Sequence, residues 1–391
     1  MEHPEERYYK LNRFFLSISG LWPYQSKWSA CLMRAILTVV MLSSTIFQIS
    51  SFFTFDVNAE FIVDVIPALI PTLGSLSHMY ARVRNIDKLR ILLERMWNDW
   101  SLQKTNYEIK IMHEHAETTR LVTVCYSFLM YASVITYITW IFVPEILDVI
   151  APMNESRPRM QPFKIEFFID EEQYFYLIRS HTCIVLFLLP IIFISSVTLY
   201  IALTQHVCGM CELLGYRAER LFCVVKGTAG CGLIRRSKIN RGGIAVFVRL
   251  HYNIIQFIDI IEIYHTIPFL MDFLGFVLAM GLALAQILTI GGNIERALRS
   301  ISFTFATMMY LFISNYMGQK ITDKTSNICE RVYNSIWYHA VVSEQKLLLL
   351  IMKRRFYPLV LTACKLYVIS LQNFGMILQT AMSYCMFMRQ T

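Results

Sequence analysis

Apolar residues along this chain gather in long runs, and the lengths of those runs predict helices that cross a lipid bilayer. Residues 35–55, 65–81, 121–143, 182–203, 273–294, 300–319 and 366–388 contain no Asp, Glu, Lys or Arg. A helix needs roughly 20 apolar residues to traverse the hydrocarbon core. The second run is short, and it is expected to extend upstream through Phe61 and Asp64. One such run could be the buried helix of a soluble core, but a whole series of them could not. Between the runs, apolar residues recur at helical spacing. Ile86, Leu89, Leu92, Leu93 and Met96 make one greasy face, and Ile244, Phe247, Val248, Ile254, Ile255 and Ile258 lead into the fifth run. Residues 347–352 precede Lys353-Arg354-Arg355, and Pro358 is a break before the last run.

The expected fold is therefore all-α, a polytopic membrane protein with seven transmembrane helices and helical extensions on one side. The expected segments are an N-terminal stretch 1–27, spans one to four over 28–206 with a helical connection 82–120 and a loop 144–173, a helical and loop region 207–265, spans five and six over 266–319, anchor helices 320–360 and a last span 361–391. Residues 227–243, rich in Gly and basic side chains, are expected to form a flexible loop. Amphipathic helices that leave the membrane must bury their apolar faces, either within the chain and on lipid or in a bundle shared by several subunits. No internal repeat is visible, which disfavours an inverted-repeat transporter.

Composition agrees with this picture. Of the 391 residues, 55% are hydrophobic and only 16% charged, against about 25% charged in soluble domains, and mean hydropathy is +0.46. The net charge of +8 would suit nucleic acid, but the basic residues sit between apolar runs. Membrane lipid, not nucleic acid, is the expected polyanion. Most of the 36 Lys and Arg residues fall in the N-terminal segment and in the second, fourth and sixth connections. The positive-inside rule then predicts a cytoplasmic N-terminus and an extracellular C-terminus. Residues 1–13 are crowded with charge and do not resemble a signal peptide. The sequon at Asn154 falls on the expected outer side, and all ten cysteines avoid the expected outer loops. This orientation is opposite to that of G-protein-coupled receptors.

The sequence offers no enzyme chemistry. His113 and His115 are two residues apart and project from different sides of a helix, so they make no zincin pair. Cys208 and Cys211 form a CxxC, with His206, Cys223 and Cys231 nearby, but no second tight pair completes a zinc site. Neither a phosphate-binding Gly loop nor GxSxG occurs, and Gly291-Gly292-Asn293 reads as an outer turn. No cofactor or metal is expected. Asp272, at the inner edge of the fifth run, is costly in a membrane. Its expected partner is a nearby cytoplasmic Lys or Arg.

Three motifs resemble the insect odorant receptor family, particularly the receptors of ants, bees and wasps. They are Leu21-Trp22-Pro23-Tyr24 before the first span, the nine residues from Phe168 to Tyr176 before the fourth, and a tail. The tail reads Leu361-Thr362-Ala363-Cys364-Lys365-Leu366-Tyr367, then Ser370-Leu371-Gln372-Asn373-Phe374 and Ser383-Tyr384. It departs from the family pattern where Cys364 replaces Gly and Gln379 replaces Lys. The TY…QF tail of gustatory receptors is absent. The resemblance implies a ligand-gated, non-selective cation channel of four subunits in the plasma membrane of olfactory neurons, opened by a volatile and assembled with a shared co-receptor. Alternatives are a seven-helix chemoreceptor acting through a cytoplasmic partner, or a gustatory-type channel. It implies an odorant pocket in the outer half of spans two, three, four and six. Candidates there are Ile70, Leu73, Tyr131, Ile135, Ile138, Ile178, His181, Thr182, Phe305 and Met309. Matching the tail from Ser383 places a gate at Phe387, with Thr391 one turn further. Thr380, Ser383, Tyr384, Phe387 and Thr391 share one helical stripe, and a hydrophobic constriction is a known gating device.

Overall fold

The structure, a computed structural model, describes residues 7–102, 104–151, 165–170, 172–221, 241–289 and 294–390. The sequon at Asn154, the turn at Gly291, Cys223, Cys231, Thr391, the Tyr384 side chain and most of the 227–243 segment lie outside what is described. Helices α1 (Lys10–Ile18), α2 (Lys27–Thr54), α3 (Ala59–Arg84), α4 (Ile86–Ser101), α5 (Asn106–Ile141), α6 (Val143–Ile150), α7 (Phe175–Arg220), α8 (Arg241–Thr289), α9 (Ile294–Tyr333), α10 (Val342–Lys353) and α11 (Leu371–Gln390) follow one another. A two-stranded antiparallel hairpin, β1 (Thr362–Ala363) with β2 (Tyr367–Val368), is the sheet among the described residues.

Six of these helices, α2, α3, α5, α7, α8 and α9, are long and apolar enough to cross a membrane. Large apolar side chains such as Val39, Phe53, Phe128 and Leu274 are exposed along them, as lipid-facing surfaces require and water-facing ones rarely permit. The 46 residues of α7 extend to about 69 Å at 1.5 Å per residue, more than twice the hydrocarbon thickness. The span and its charged extension are thus one continuous helix, as they are in α5, α8 and α9. These extensions define one end of the bundle, the extension end. The turn between α2 and α3, helix α6 and residues 165–170 and 172–174 define the other, the loop end.

Local chemistry sets the boundaries. The Ser26 hydroxyl accepts from the Ser29 amide ahead of α2, and Asn58 accepts from the Phe61 amide ahead of α3. Thr105 and Glu108 close a reciprocal capping box ahead of α5. Pro67 and Pro71 lie within α3, Pro190 within α7 and Pro268 within α8, where packed neighbours make a membrane helix tolerant of them. Gly318 of α9 allows Ile369 to cross it, because a Cβ there would stand 2.5 Å from the Ile369 carbonyl oxygen.

The last run differs most from expectation. Leu366 is not the start of a helix: Tyr367 and Val368 pair with Thr362 and Ala363 instead. Cys364 and Lys365 turn the chain with φ of 52° and 59°, the backbone of a type I′ turn, which Gly adopts without the cost of a Cβ. Thr266 steadies the turn by accepting from the Cys364 amide. Ser370 then caps α11 through the Asn373 amide. The 20-residue α11 is long enough to span at about 30 Å, yet it carries Gln372, Asn373, Gln379 and Thr380.

The first and third motifs from the sequence carry buried packing contacts, whereas Phe168, Ile169, Tyr174 and Tyr176 of the second are exposed. Leu21 and Trp22 are buried, their amides both donating to the Leu16 carbonyl, and Tyr24 lies 5.0 Å from Trp97 of α4, ring to ring. In the tail, the Asn315 side chain of α9, fully buried, accepts from the Tyr367 hydroxyl at 2.9 Å and the Ser370 amide at 3.1 Å.

Candidate ligand-binding cavity

Toward the loop end, α2, α3, α5, α7, α8 and α9 line a cavity of about 180 Å³. Its walls are predominantly apolar, from Pro67, Ala68 and Pro71 on α3, Met130 and Val134 on α5, Val185, Leu186 and Leu189 on α7, and Ala283 and Ala306 on α8 and α9. The space is comparable to the roughly 150 Å³ apolar cavity that admits a benzene ring.

Its two ends differ chemically. At the loop end, Arg299 of α9 donates to Asp64 of α3, Gln286 of α8 donates to the same carboxylate oxygen at 3.4 Å, and Ser300 donates to Gln286. All four residues line the cavity, so a hydrogen-bonded ion pair closes it between three helices. Ile165 and Phe167, from the connection before α7, pack on Ile178 and Phe47 above it. At the far end the floor is aromatic. Phe193 of α7 stands 5.6 Å from Phe276 and 5.8 Å from Tyr310, and Phe276 stands 5.2 Å from Tyr310, the two contacts with Tyr310 being edge-on. Between the ends, Thr72 donates to Gln48 and Gln48 to Ser44, at 3.2 and 3.1 Å.

Among the residues singled out in the sequence, His181 and Thr182 line this cavity. The His181 ring contacts the Ser43 hydroxyl at 2.9 Å and sits against Phe47 and Phe167. The remaining candidates lie elsewhere. Leu73, Ile135 and Phe305 are exposed on outward faces of their helices. Tyr131 packs on Phe187, Ile178 lies in the small cluster over the cavity, and Ile70 and Met309 support the core. Ile138 is half-buried and outside the lining. Their depth along the helices was readable, but the rotation of each helix about its axis was not, and one residue of phase turns a side chain by about 100°. Spans two, three, four and six were the expected walls; the first and fifth runs also contribute, through Gln48 and Phe276 among others. A signal for this existed. Gln48, Asp64 and Gln286 are polar side chains inside apolar runs, and such groups face the interior of a bundle.

Asp272 also departs from expectation. Its partners are His78 of α3, 2.6 Å from the carboxylate, and the Tyr310 hydroxyl, rather than a peripheral Lys or Arg. At the extension end, ion pairs join the helices, Arg217 to Glu108 at 2.6 Å and Lys324 to Glu212 at 2.7 Å, and the His206 ring contacts the Asp99 carboxylate at 3.0 Å. Burial alone raises the Glu108 carboxyl, but the hydrogen bond from Arg217 and the Thr105 amide outweigh it and hold it below its ordinary value. His113 meets the Tyr8 hydroxyl, while His115 meets Gln205 and Glu212 on another side. Cys208 and Cys211 are buried in α7, and no cluster of His, Cys, Asp and Glu among the described residues is arranged to hold a metal.

On α11, Phe374, Ile377, Ala381 and Cys385 are buried, whereas Thr380, Ser383 and Phe387 lie on an exposed face with Met376 and Gln379. The Thr380 and Ser383 hydroxyls donate to carbonyls one turn back on their own helix, at 2.8 and 2.9 Å.

Comparison with known proteins gives a consistent result. The sequence profile described as "7tm Odorant receptor" matches residues 58–382. Putative odorant receptor 85d of Drosophila melanogaster is 30% identical over 102 residues, covering 26% of this chain and 25% of that protein. Odorant receptor 10a of the same species is 22% identical over 182 residues, covering 46% of this chain and 44% of that protein. The alignments thus span less than half the length of either relative. Among solved structures, the olfactory receptor OR5 of Machilis hrabei in complex with eugenol superimposes with a TM-score of 0.81, at 14% identity and 98% coverage of each chain. A second structure of the same receptor also gives 0.81, at 16% identity and 98% and 97% coverage. At such identities the likeness is one of fold.

Proposed function

This chain belongs to the 7tm odorant receptor family, and on that premise we propose that it is a subunit of an odorant-gated, non-selective cation channel. The observation that carries the reading is the mainly apolar cavity within the bundle. A volatile ligand is small and poorly hydrated, and it gains most from a closed apolar space with few polar groups. The extension end is cytoplasmic, because the basic residues of the N-terminal segment and alternate connections crowd there. The C-terminus then lies outside.

Four subunits surround one pore, with a shared co-receptor supplying the partner chains, in the plasma membrane of olfactory sensory neurons. The exposed face of α11 lines that pore, with Thr380 and Ser383 contributing hydroxyls and Phe387 the constriction; Tyr384 and Thr391, whose side chains lie outside the described residues, are added on the tail resemblance alone. Three features support this: the polar content of α11, its burial on one side only, and the family's tail motif. A pore-lining helix has water on one face and needs less apolar surface than a lipid-facing one. The sequon at Asn154 is an outer glycosylation site. The ten candidates of the sequence analysis reduce to His181 and Thr182 as direct cavity contacts, joined by the walls described above.

The test is electrical and topological. Cells expressing the chain with an odorant receptor co-receptor are to show odorant-evoked cation current, and an epitope after the last residue is to be accessible without permeabilisation. A shielded epitope, or a response that requires a cytoplasmic signalling partner, would replace the channel with a receptor of the opposite orientation.

A further inference from the structure

We propose that Tyr310, Asp272, His78 and Arg82 form a polar latch that couples occupancy of the cavity to α11, with Tyr310 as the sensing side chain. The proposal rests on the ligand-gated channel reading above and names the residues through which gating is set.

Tyr310 belongs to two environments at once. Its ring lines the cavity floor, held between Phe193 and Phe276, and its hydroxyl donates to Asp272 beneath that floor. Asp272 is 2% exposed. The oxygen that accepts from Tyr310 also meets His78 Nε2, while the other oxygen, Oδ1, has no hydrogen-bond partner. The opposite nitrogen of the same imidazole faces Arg82 Nε at 3.4 Å. Arg82 is fully buried, bonded to Ser196 of α7 and stacked over Tyr264 at 5.0 Å, and its Nη1 is likewise unpartnered. One ring therefore separates a carboxylate from a guanidinium, each retaining unused hydrogen-bonding capacity. Leaving buried polar atoms unsatisfied is costly, so a second arrangement that pairs Asp272 Oδ1 or Arg82 Nη1 competes with this one. When a ligand turns the Tyr310 ring, Asp272 loses one donor and Arg82 has another to offer. That exchange is the second arrangement a switch requires.

The latch also reaches the tail. Phe273, next to Asp272 on α8, stands 4.5 Å from the Tyr367 ring of β2. Asn315, on the same helix as Tyr310, accepts from Tyr367 and from the Ser370 amide at the head of α11. A shift of α8 against α9 at the Asp272–Tyr310 bond thus acts on the segment from which α11 hangs. Asp272 and Tyr310 are positioning residues here, since neither Asp272 nor the Tyr310 hydroxyl need touch the odorant.

The test uses the assembled receptor with two readouts, current and the fluorescence of an environment-sensitive label at Met382→Cys on α11, in a background lacking other reactive cysteines. Tyr310→Phe keeps the ring and removes the hydroxyl. We expect Tyr310→Phe and Asp272→Asn each to shift the half-response by one common factor, roughly tenfold, for every odorant that activates the wild type. The double variant is to shift no further than Asp272→Asn alone. Shifts that differ between odorants, or that add in the double variant, would make Tyr310 a simple ligand contact and overturn the latch. If Asp272→Asn fails to reach the surface, His78→Gln replaces it under the same expectation. The expected pattern in fluorescence with no current would keep the latch and overturn the channel.

Discussion

Helix α7 is packed in opposite ways on the two sides of Pro190. From Phe175 to Leu189 it alternates between the cavity, its neighbours and the exterior, with Ile184 and Phe187 half-exposed. From Pro190 to Cys211 every residue is buried, and α1, α5, α8 and α9 surround it. The first half, with Pro190 and Phe193 at the start of the second, borders a space that a small molecule can occupy, whereas beyond Phe193 the gaps against α7 are only about 10–20 Å³. Protein interiors pack as densely as organic crystals, so an internal void toward the loop end is a feature that the surrounding helices must hold open. The dense half supplies that rigidity, and the latch residues sit at the junction between the halves.

Substitutions in the two halves should therefore fail differently. The largest effect is expected from Ile201→Asp, which places an unpaired charge at a fully buried site. A cost of several kcal/mol, about 3–5, should abolish the folded receptor, seen as loss of surface labelling and of a monodisperse detergent-solubilised peak. Ala306→Trp in the cavity wall should do the reverse. It fills the space at an overpacking cost of about 1–3 kcal/mol, leaving surface labelling near wild type while odorant sensitivity falls by roughly tenfold or more. If both variants lost surface labelling equally, the contrast between the halves would be wrong.

Smaller effects sharpen the comparison at the extension end. Asn315→Ala strands the Tyr367 hydroxyl and the Ser370 amide, and thermal stability should fall by about 1–3 kcal/mol. Cys364→Gly relieves a positive φ and should stabilise the tail by up to about 1 kcal/mol, visible as slower proteolysis between β1 and β2. The smallest effect concerns Glu108. Its carboxyl lies below its ordinary 4.5, so the pair with Arg217 contributes fully above that value and is lost as pH falls through the lower, folded one. Acid unfolding of Glu108→Gln should be flatter than that of wild type in this range, with stability at pH 7 only slightly reduced.

How much of this was legible in the sequence depended on the kind of information required. Span positions follow from the lengths of the apolar runs, and the long helices at the extension end follow from spacing such as Ile86–Leu89–Leu93. The hairpin did not follow, because Leu366, Tyr367 and Val368 are as apolar as a span, and only a turn conformation at Cys364 and Lys365 separates them from α11. Cavity contacts were legible in depth but not in phase. His181 and Thr182 point inward, while Leu73 and Phe305, chosen by the same logic, point away. Asp272 stood out as an ionisable group in an apolar run, yet its partner His78 lies on α3, nearly two hundred residues away, and no local pattern links them. The apolar runs specify each helix, and only tertiary packing specifies which faces meet.

On the proposed function, a small volatile occupies the cavity walled by Phe193, Phe276 and Ala306. Photolabelling with a diazirine-bearing analogue of an activating odorant, followed by peptide mapping, tests it most directly. Adducts are expected on cavity residues of α3, α5, α7 and α9, competed away by the parent odorant and lost in Ala306→Trp. Competable adducts confined to outward side chains such as Leu73, Ile135 and Phe305 would contradict it.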